Sequence, residues 1–445
     1  MKRFPRRAAL PPAPAPPFFG PSVVRAAFLL AVFGWGTGVY GPPVYLHAVV
    51  ARTGWPLGTV SLAMTVHFLA GAIVIAALPR IHRRVGLPAT TIAGAILTSL
   101  GVLGWALAAE LWQLFAAALA SGGGWVTMGA FAINAILAPW YSRSRPRALS
   151  SAYNGASVGG VVFSPLWALL IARIGFVASA VVVGLAMIVT VVWLARRVFS
   201  KSPEAMGQRP DGLVAAGAPI EDRPAGGEAA GRVGARELPG PLPGPRLWRS
   251  RQFLTLAAAM ALGLFAQMGL LAHLYSLLVP ALGARGAGFA MGLATVCAVA
   301  GRTIVVRTMP VGTDRRIVMA AGYAIQLLGS FVLMLAPPGA MWPIVVGIVL
   351  FGSGIGNATS LPPLIAQLEF TREDLPRAVA LTVAVSQATY AFAPAVFGLL
   401  LIVTAAAPPA VGQGATAFFV GAAFVQAMAI AAVLAGRQPG LRPVR

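Results

Sequence analysis

The sequence predicts an all-α membrane protein of twelve transmembrane helices, in two six-helix pseudo-repeats with both termini cytoplasmic. Three observations carry this. The 445-residue chain is 58% hydrophobic and only 10% charged, where a soluble domain has about 25% charged residues. Its basic residues gather in alternate connecting segments. Several residues also recur at a fixed spacing of 230 positions.

The apolar runs are too long and continuous for barrel strands, so helices must satisfy the backbone inside the bilayer. A net charge of +22 would suit a nucleic-acid partner, but its placement assigns it to topology and lipid headgroups, and no nucleic-acid partner is expected. The single Cys297 cannot form an internal disulfide. No metal-ligand spacing, phosphate loop or nucleophilic triad is present. We therefore expect neither an enzyme nor a cofactor.

Residues 1–21 carry Lys2, Arg3, Arg6 and Arg7 ahead of Pro11, Pro12, Pro14, Pro16 and Pro17. That composition reads as a disordered cytoplasmic tail rather than a cleavable signal. The N-terminal bundle, 22–195, has spans near 22–49, 57–78, 89–109, 112–138, 148–172 and 174–195. Residues 196–250 hold six of the eleven acids and two Pro-Gly-Pro clusters, as expected of a disordered cytoplasmic linker. The C-terminal bundle, 251–436, has spans near 252–279, 286–306, 317–336, 342–368, 378–404 and 414–436, followed by a cytoplasmic tail, 437–445. Pro42-Pro43, Pro165, Pro362-Pro363 and Pro394 mark expected helix breaks.

With the N-terminus inside, cytoplasmic segments collect Arg80, Arg83 and Arg84, then Arg143, Arg145 and Arg147, then the linker cluster, then Arg307, Arg315 and Arg316, then Arg372 and Arg377. The opposite side receives Arg52, Arg173 and Arg285. This is the positive-inside pattern. At the 230-residue spacing, Pro146-Arg147-Ala148 falls on Pro376-Arg377-Ala378, and Gly122 and Gly124 fall on Gly352 and Gly354. Trp112 falls on Trp342, Gly71 on Gly301 and Tyr45 on Tyr275. Two halves of the same orientation are a parallel-repeat transporter design.

On these features the chain resembles the major facilitator superfamily over nearly its whole length outside the tail and linker. Trp55-Pro56-Leu57-Gly58-Thr59-Val60-Ser61, Trp140-Tyr141, Gly155-Ala156-Ser157-Val158-Gly159, Ser164-Pro165-Leu166 and Gly301-Arg302 are similar to its monocarboxylate-transporter and oxalate/formate-antiporter branch. The resemblance implies that the first, fourth, seventh and tenth spans line a central cavity. It departs at 79–88, where Arg83 stands in place of the superfamily's loop aspartate. Asp314-Arg315-Arg316 keeps the acid but lacks the glycine.

Ionisable groups at bilayer depth point to function. Arg302 lies about five residues from the middle of the eighth span, roughly 7.5 Å along the helix, with no intramembrane carboxylate to neutralise it; its counterpart 230 residues earlier is Ala72. A guanidinium matches a carboxylate in a bidentate fashion and keeps its charge, so an anionic substrate is its natural partner; snorkelling to the headgroups is the structural alternative. His67, whose counterpart is Cys297, is the candidate for proton coupling, against a neutral imidazole bonded to a neighbouring helix. Tyr40, Tyr45, Asn134, Gln267, Tyr275 and Asn357 on the expected cavity helices, with Gln387 and Tyr390 on the eleventh span, complete the candidate substrate site. For each of these, helix–helix hydrogen bonding is the competing role.

The sequence thus predicts a monomeric secondary transporter of a small, monocarboxylate-like organic anion in a bacterial inner membrane, its partners being the substrate and the lipid bilayer. Export of a hydrophobic compound, or ligand sensing without flux, is the alternative.

Overall fold

The computed structural model describes residues 17–212, 244–310, 312–337, 340–371, 373–403, 410–411 and 414–437. The expected N-terminal tail up to residue 16, linker residues 213–243 and the C-terminal tail from 438 lie outside the described residues. Among those described, the elements are helical, with no β-strand.

Among the described residues, ten helical stretches are long and apolar enough to cross a membrane. The first joins α1 (Gly20–Gly38) to α2 (Pro42–Thr53) through a bend at 39–41. Pro42 and Pro43 open α2, where a missing N–H leaves no helical bond unmade. Next come α3 (Leu57–Val85) and α4 (Leu87–Leu107). Then α5 (Leu111–Trp125) and α6 (Ala130–Leu137) are linked by a tight turn over Val126–Met128. α7 (Arg145–Leu194) runs on to Phe199.

A short turn, α8 (Gly244–Leu247), precedes α9 (Arg251–Thr308), α10 (Arg315–Met334) and α11 (Met341–Glu369). The chain continues through α12 (Leu375–Tyr390), α13 (Ala393–Val403) and α14 (Thr416–Ala435). Pro394 lies at the α12–α13 break, as expected of it, whereas Pro165 and Pro362-Pro363 lie inside helices that continue through them.

Two stretches, Arg145–Phe199 and Arg251–Thr308, are 55 and 58 residues long, more than twice the ~20 one crossing needs. Each is broken at one glycine: Gly175 at φ 79°, ψ 165° and Gly283 at φ 67°, ψ 169°. A Cβ is disfavoured at that positive φ, so glycine sets where each chain turns back. The pieces on either side are themselves long enough to span.

The 230-residue spacing reappears as matched packing. A Cβ on Gly122 of α5 would lie 2.0 Å from the His67 carbonyl oxygen of α3; one on Gly352 of α11 would lie 2.6 Å from that of Ala294 in α9. Such close backbone approach is the usual device for packing helices in lipid.

Arg80, Arg83, Arg84, Arg143, Arg145, Arg147, Arg307, Arg315 and Arg316 all fall at helix ends or connections on one end of the bundle, hereafter the basic end. The Gly175 and Gly283 turns and the exposed Trp112 and Trp342 mark the far end.

Each half of the chain is tied differently at its basic end. In the second half, the buried Arg316 guanidinium holds Glu369 at 2.6 and 2.7 Å. It also donates to the carbonyls of Gln252 and Val433 and to the Thr255 hydroxyl. One cation thereby joins α9, α10, α11 and α14. In the first half the linker supplies the tie. Asp211 accepts from the backbone amides of Ser142, Arg143 and Ser144 and from the Ser144 hydroxyl, just before α7 begins. Gln208 bonds the Phe19 amide and the Pro17 carbonyl. Residues 200–212, expected as the start of a disordered linker, thus fold back across the basic end.

Candidate functional site

The two halves of the chain meet mainly toward the far end. Ser61 of α3 packs on Gly398 of α13, Gly58 on Ile402, and Phe68 edge-on against Tyr390 at 6.0 Å. Thr65 Oγ1 accepts from the Ala395 backbone N–H at 3.1 Å, an amide left over by the α12–α13 break. Pro165 and Ala168 of α7 sit on Gly288 of α9, and the Val161 carbonyl on Gly292. At the outer ends of the helices the His47 ring meets Tyr275 at 5.3 Å. Toward the basic end the halves part: α3 packs far more heavily on α13 than on α12.

Tyr40, Gly160, Thr295 and Arg302 lie where the contact gives way to the parting. Tyr40 follows α1 in the 39–41 bend, which frees its side chain from helical register. A Cβ on Gly160 would lie 2.5 Å from the Tyr40 ring and 2.7 Å from the Thr295 methyl, so glycine is what lets the three come together. The Tyr40 ring and the Thr295 side chain meet over Gly160, and the Tyr40 hydroxyl lies within electrostatic reach of Arg302. Arg302 is seven residues after Thr295, two turns on the same face of α9, roughly 10 Å nearer the basic end. From the other side Gly356 of α11 approaches the Arg302 Cβ. Arg302 is part-buried. Among the described residues no ion pair or hydrogen bond engages its guanidinium. Charge placed there can hold an anion, and the Tyr40 hydroxyl can orient one; the buried Thr295 hydroxyl donates to the Met291 carbonyl at 3.2 Å.

His67 is buried with both ring nitrogens occupied: Nε2 to the Gly38 carbonyl and Nδ1 to the Ser121 hydroxyl, each at 2.9 Å. A carbonyl only accepts, so Nε2 carries the hydrogen and Nδ1 accepts from Ser121. Trp105 Nε1 also donates to Ser121, and the His67 ring stacks on Trp125. The imidazole joins α1, α3 and α5 in a closed network.

The other predicted residues scatter. Tyr45 is wedged among Trp167, Phe176 and Trp105, its hydroxyl reaching the Thr37 carbonyl. Asn134 bonds Tyr153 and the Ala130 carbonyl, bridging α6 and α7. Tyr275 sits in the far-end contact and donates to the Ala284 carbonyl. Tyr390 lies edge-on to Phe68, with Gln387 one turn before it on α12. Asn357 is buried against Gly322 of α10. Gln267 is buried one turn from Gly263, which packs on Tyr323 of α10. Both amides therefore sit on helix faces turned toward α10. Sequence reasoning missed Thr295 and Gly160; the signal was the run of small residues from Gly155 to Gly160, one of which must admit something large.

Outside the membrane, Asp211 stands out. Its carboxyl is held down to about 2, first by the Ser144 hydroxyl and then by three backbone amides. Among the described residues no group of three or more His, Cys, Asp or Glu could hold a metal ion.

A comparison with curated protein sequences found no match. Among solved structures, the fold is similar to a bacterial homologue of the human lysosomal transporter Spinster in an inward-facing, occupied conformation, with TM-score 0.65 and 14% identity over 95% of this chain and 97% of that one. The unoccupied form of that homologue gives TM-score 0.63, 16% identity and coverage of 95% and 98%. The nucleoside transporter NupG gives TM-score 0.69 and 11% identity over 94% of this chain and all of that one. At such identities the likeness speaks for the fold alone. The family model described as Major Facilitator Superfamily matches residues 26–394, and the chain is therefore a multi-pass membrane protein belonging to the Major Facilitator Superfamily.

Proposed function

We propose that this protein is a secondary transporter that moves a small organic anion, monocarboxylate-like in size and charge, by alternating access. The observation that carries the reading is Arg302: a cation part-way along a membrane helix, unpaired among the described residues, on the face that meets the other half of the chain. Ionisable groups at this depth face cavities and mark substrate paths. Tyr40 supplies the neighbouring hydroxyl. The Gly175 and Gly283 turns support twelve crossings in two sets of six, with linker and termini in the cytoplasm by the positive-inside pattern. On that orientation the parted, basic end opens inward, in a bacterial inner membrane. His67, satisfied on both nitrogens, serves as a brace between helices in this reading.

Uptake into proteoliposomes tests it. Labelled monocarboxylates should enter and be competed by other small carboxylates but not by a nucleoside, the solute named for one structural relative. Uptake of a neutral solute with indifference to carboxylates would refute the anion reading.

A further inference from the structure

The second half of the chain contains a group of buried amides that the transport site does not use. Gln326 and Ser330 of α10, one turn apart, face α11 and α14 and are fully buried. Gln326 lies against Gly354, and Asn357, 5% exposed, lies against Gly322. The Ser330 hydroxyl shares its hydrogen between the Gln326 backbone carbonyl at 3.0 Å and Gln426 Oε1 of α14 at 3.2 Å. Yet, among the described residues, Gln326 Oε1 and Nε2, Asn357 Oδ1 and Gln426 Nε2 have no hydrogen-bond partner.

The matching place in the first half shows what has changed. There Gly94 of α4 faces Thr127, and Gly124 of α5 faces Thr98. Each hydroxyl bonds a carbonyl of its own turn, Thr98 to Gly94 at 2.7 Å and Thr127 to Gly124 at 2.9 Å. The space is closed: a Cβ on Gly94 would lie 1.7 Å from Thr127 Oγ1. By their contacts, Gly322 stands for Gly94 and Gln326 for Thr98, each 228 positions on, while Gly354 stands for Gly124 and Asn357 for Thr127 at the 230-residue spacing. The threonines, which satisfy themselves, have become amides, which cannot. The packing has loosened at one of the two contacts: a Cβ on Gly322 would come no nearer than 3.5 Å to Asn357, while one on Gly354 would still lie 2.4 Å from Gln326 Cγ.

We infer that this site binds internal water. The unmatched atoms include both donors (Gln326 Nε2, Gln426 Nε2) and acceptors (Gln326 Oε1, Asn357 Oδ1), so the ligand must accept and donate. A cation would serve the oxygens and leave the N–H groups facing it; an anion would do the reverse. Water does both, and typically makes about three bonds to buried polar groups of this kind. Bound there, it bridges α10, α11 and α14, and holds α11 one residue from Gly356, which abuts Arg302. The inference does not rest on what the protein transports.

A density map of the purified wild-type protein, at a resolution that shows ordered water, tests it. Expected is solvent density within hydrogen-bond distance of both Gln326 and Asn357. A dry site, with the two amides paired directly, overturns the inference. The double variant Gln326→Thr, Asn357→Thr copies the first half and should lose that density; if the density persists unchanged, the amides do not hold it. Should the double variant fail to fold, hydrogen exchange on the wild type decides. The amides of 354–357 should exchange faster than those of 124–127, and equal or slower exchange contradicts a hydrated seam.

Discussion

The first and second halves of this chain use the same helix contacts and differ in chemistry. Gly122 and Gly352 bring matching helices to backbone contact in each half. Around those contacts the side chains diverge. The first half has His67 in a closed network with Gly38, Ser121 and Trp105; the second has Cys297 at the same place. The first half has Ala72 where the second has Arg302. Its basic end is tied by a linker carboxylate on exposed backbone amides, whereas the second half's is tied by a buried Arg–Glu pair. What duplicates is the packing that any six-helix unit needs. What departs from the duplication marks where a charge, a pair of amides or a linker carboxylate has been added, and Arg302 is the departure nearest the meeting of the halves.

The largest expected effect separates the two basic ends. Glu369→Gln strands the buried Arg316 charge, and losing one partner of such a pair costs about 3–5 kcal/mol. The thermal midpoint of the purified protein should fall sharply. Asp211→Asn at the exposed first-half tie should leave that midpoint nearly unchanged. The Asp211 contact has its own pH signature. Because folding depresses its pKa to about 2, its contribution is complete above the ordinary carboxyl value near ~3.9 and lost as pH falls through about 2. A spin label in residues 200–212 should therefore keep constant mobility from about pH 5 to 8; release within that window would disprove the tie.

The glycine pair probes what the halves share. Gly122→Val and Gly352→Val should each destabilise by about 1–3 kcal/mol or more, since the new atoms meet backbone that cannot move aside. If only one of the two does, the halves are not packed alike. Next in size, His67→Ala removes two buried bonds and should cost about 2 kcal/mol, against under about 1 for Cys297→Ala. A large loss of transport with little loss of stability would instead return His67 to the role of proton carrier. Smallest is Thr65→Val, which uncaps the Ala395 amide only when the far end is closed. At about 1 kcal/mol for a lost cap, it should shift the balance of closed and open far ends about fivefold, read as spin-label distances between α3 and α13.

Much of this architecture was legible beforehand because hydropathy and arginine placement report on the bilayer, a solvent that acts on each residue separately. The long apolar helices, the matched glycines and the charge of Arg302 among apolar neighbours all follow from that. Asn357 and Gln267 were expected in the cavity with the polar residues of their helices. Which face a helix turns to its neighbour depends on packing, and both amides turned inward. Thr295 passed unnoticed because threonine is common in such helices and its partner, Tyr40, lies 255 positions away. The docking of 200–212 was illegible for another reason: Asp211 binds backbone amides, which carry no sequence signature.

The central claim is that Arg302 holds the substrate's negative charge. The most direct measurement is carboxylate uptake by proteoliposomes containing wild type, Arg302→Lys or Arg302→Ala, each verified as folded. Loss of a charge-assisted contact worth about 1.5–3 kcal/mol predicts roughly a ten- to hundredfold fall for Arg302→Ala. Arg302→Lys should fall in between, since an ammonium keeps the charge but not the fork. Wild-type carboxylate uptake by folded Arg302→Ala would contradict the account.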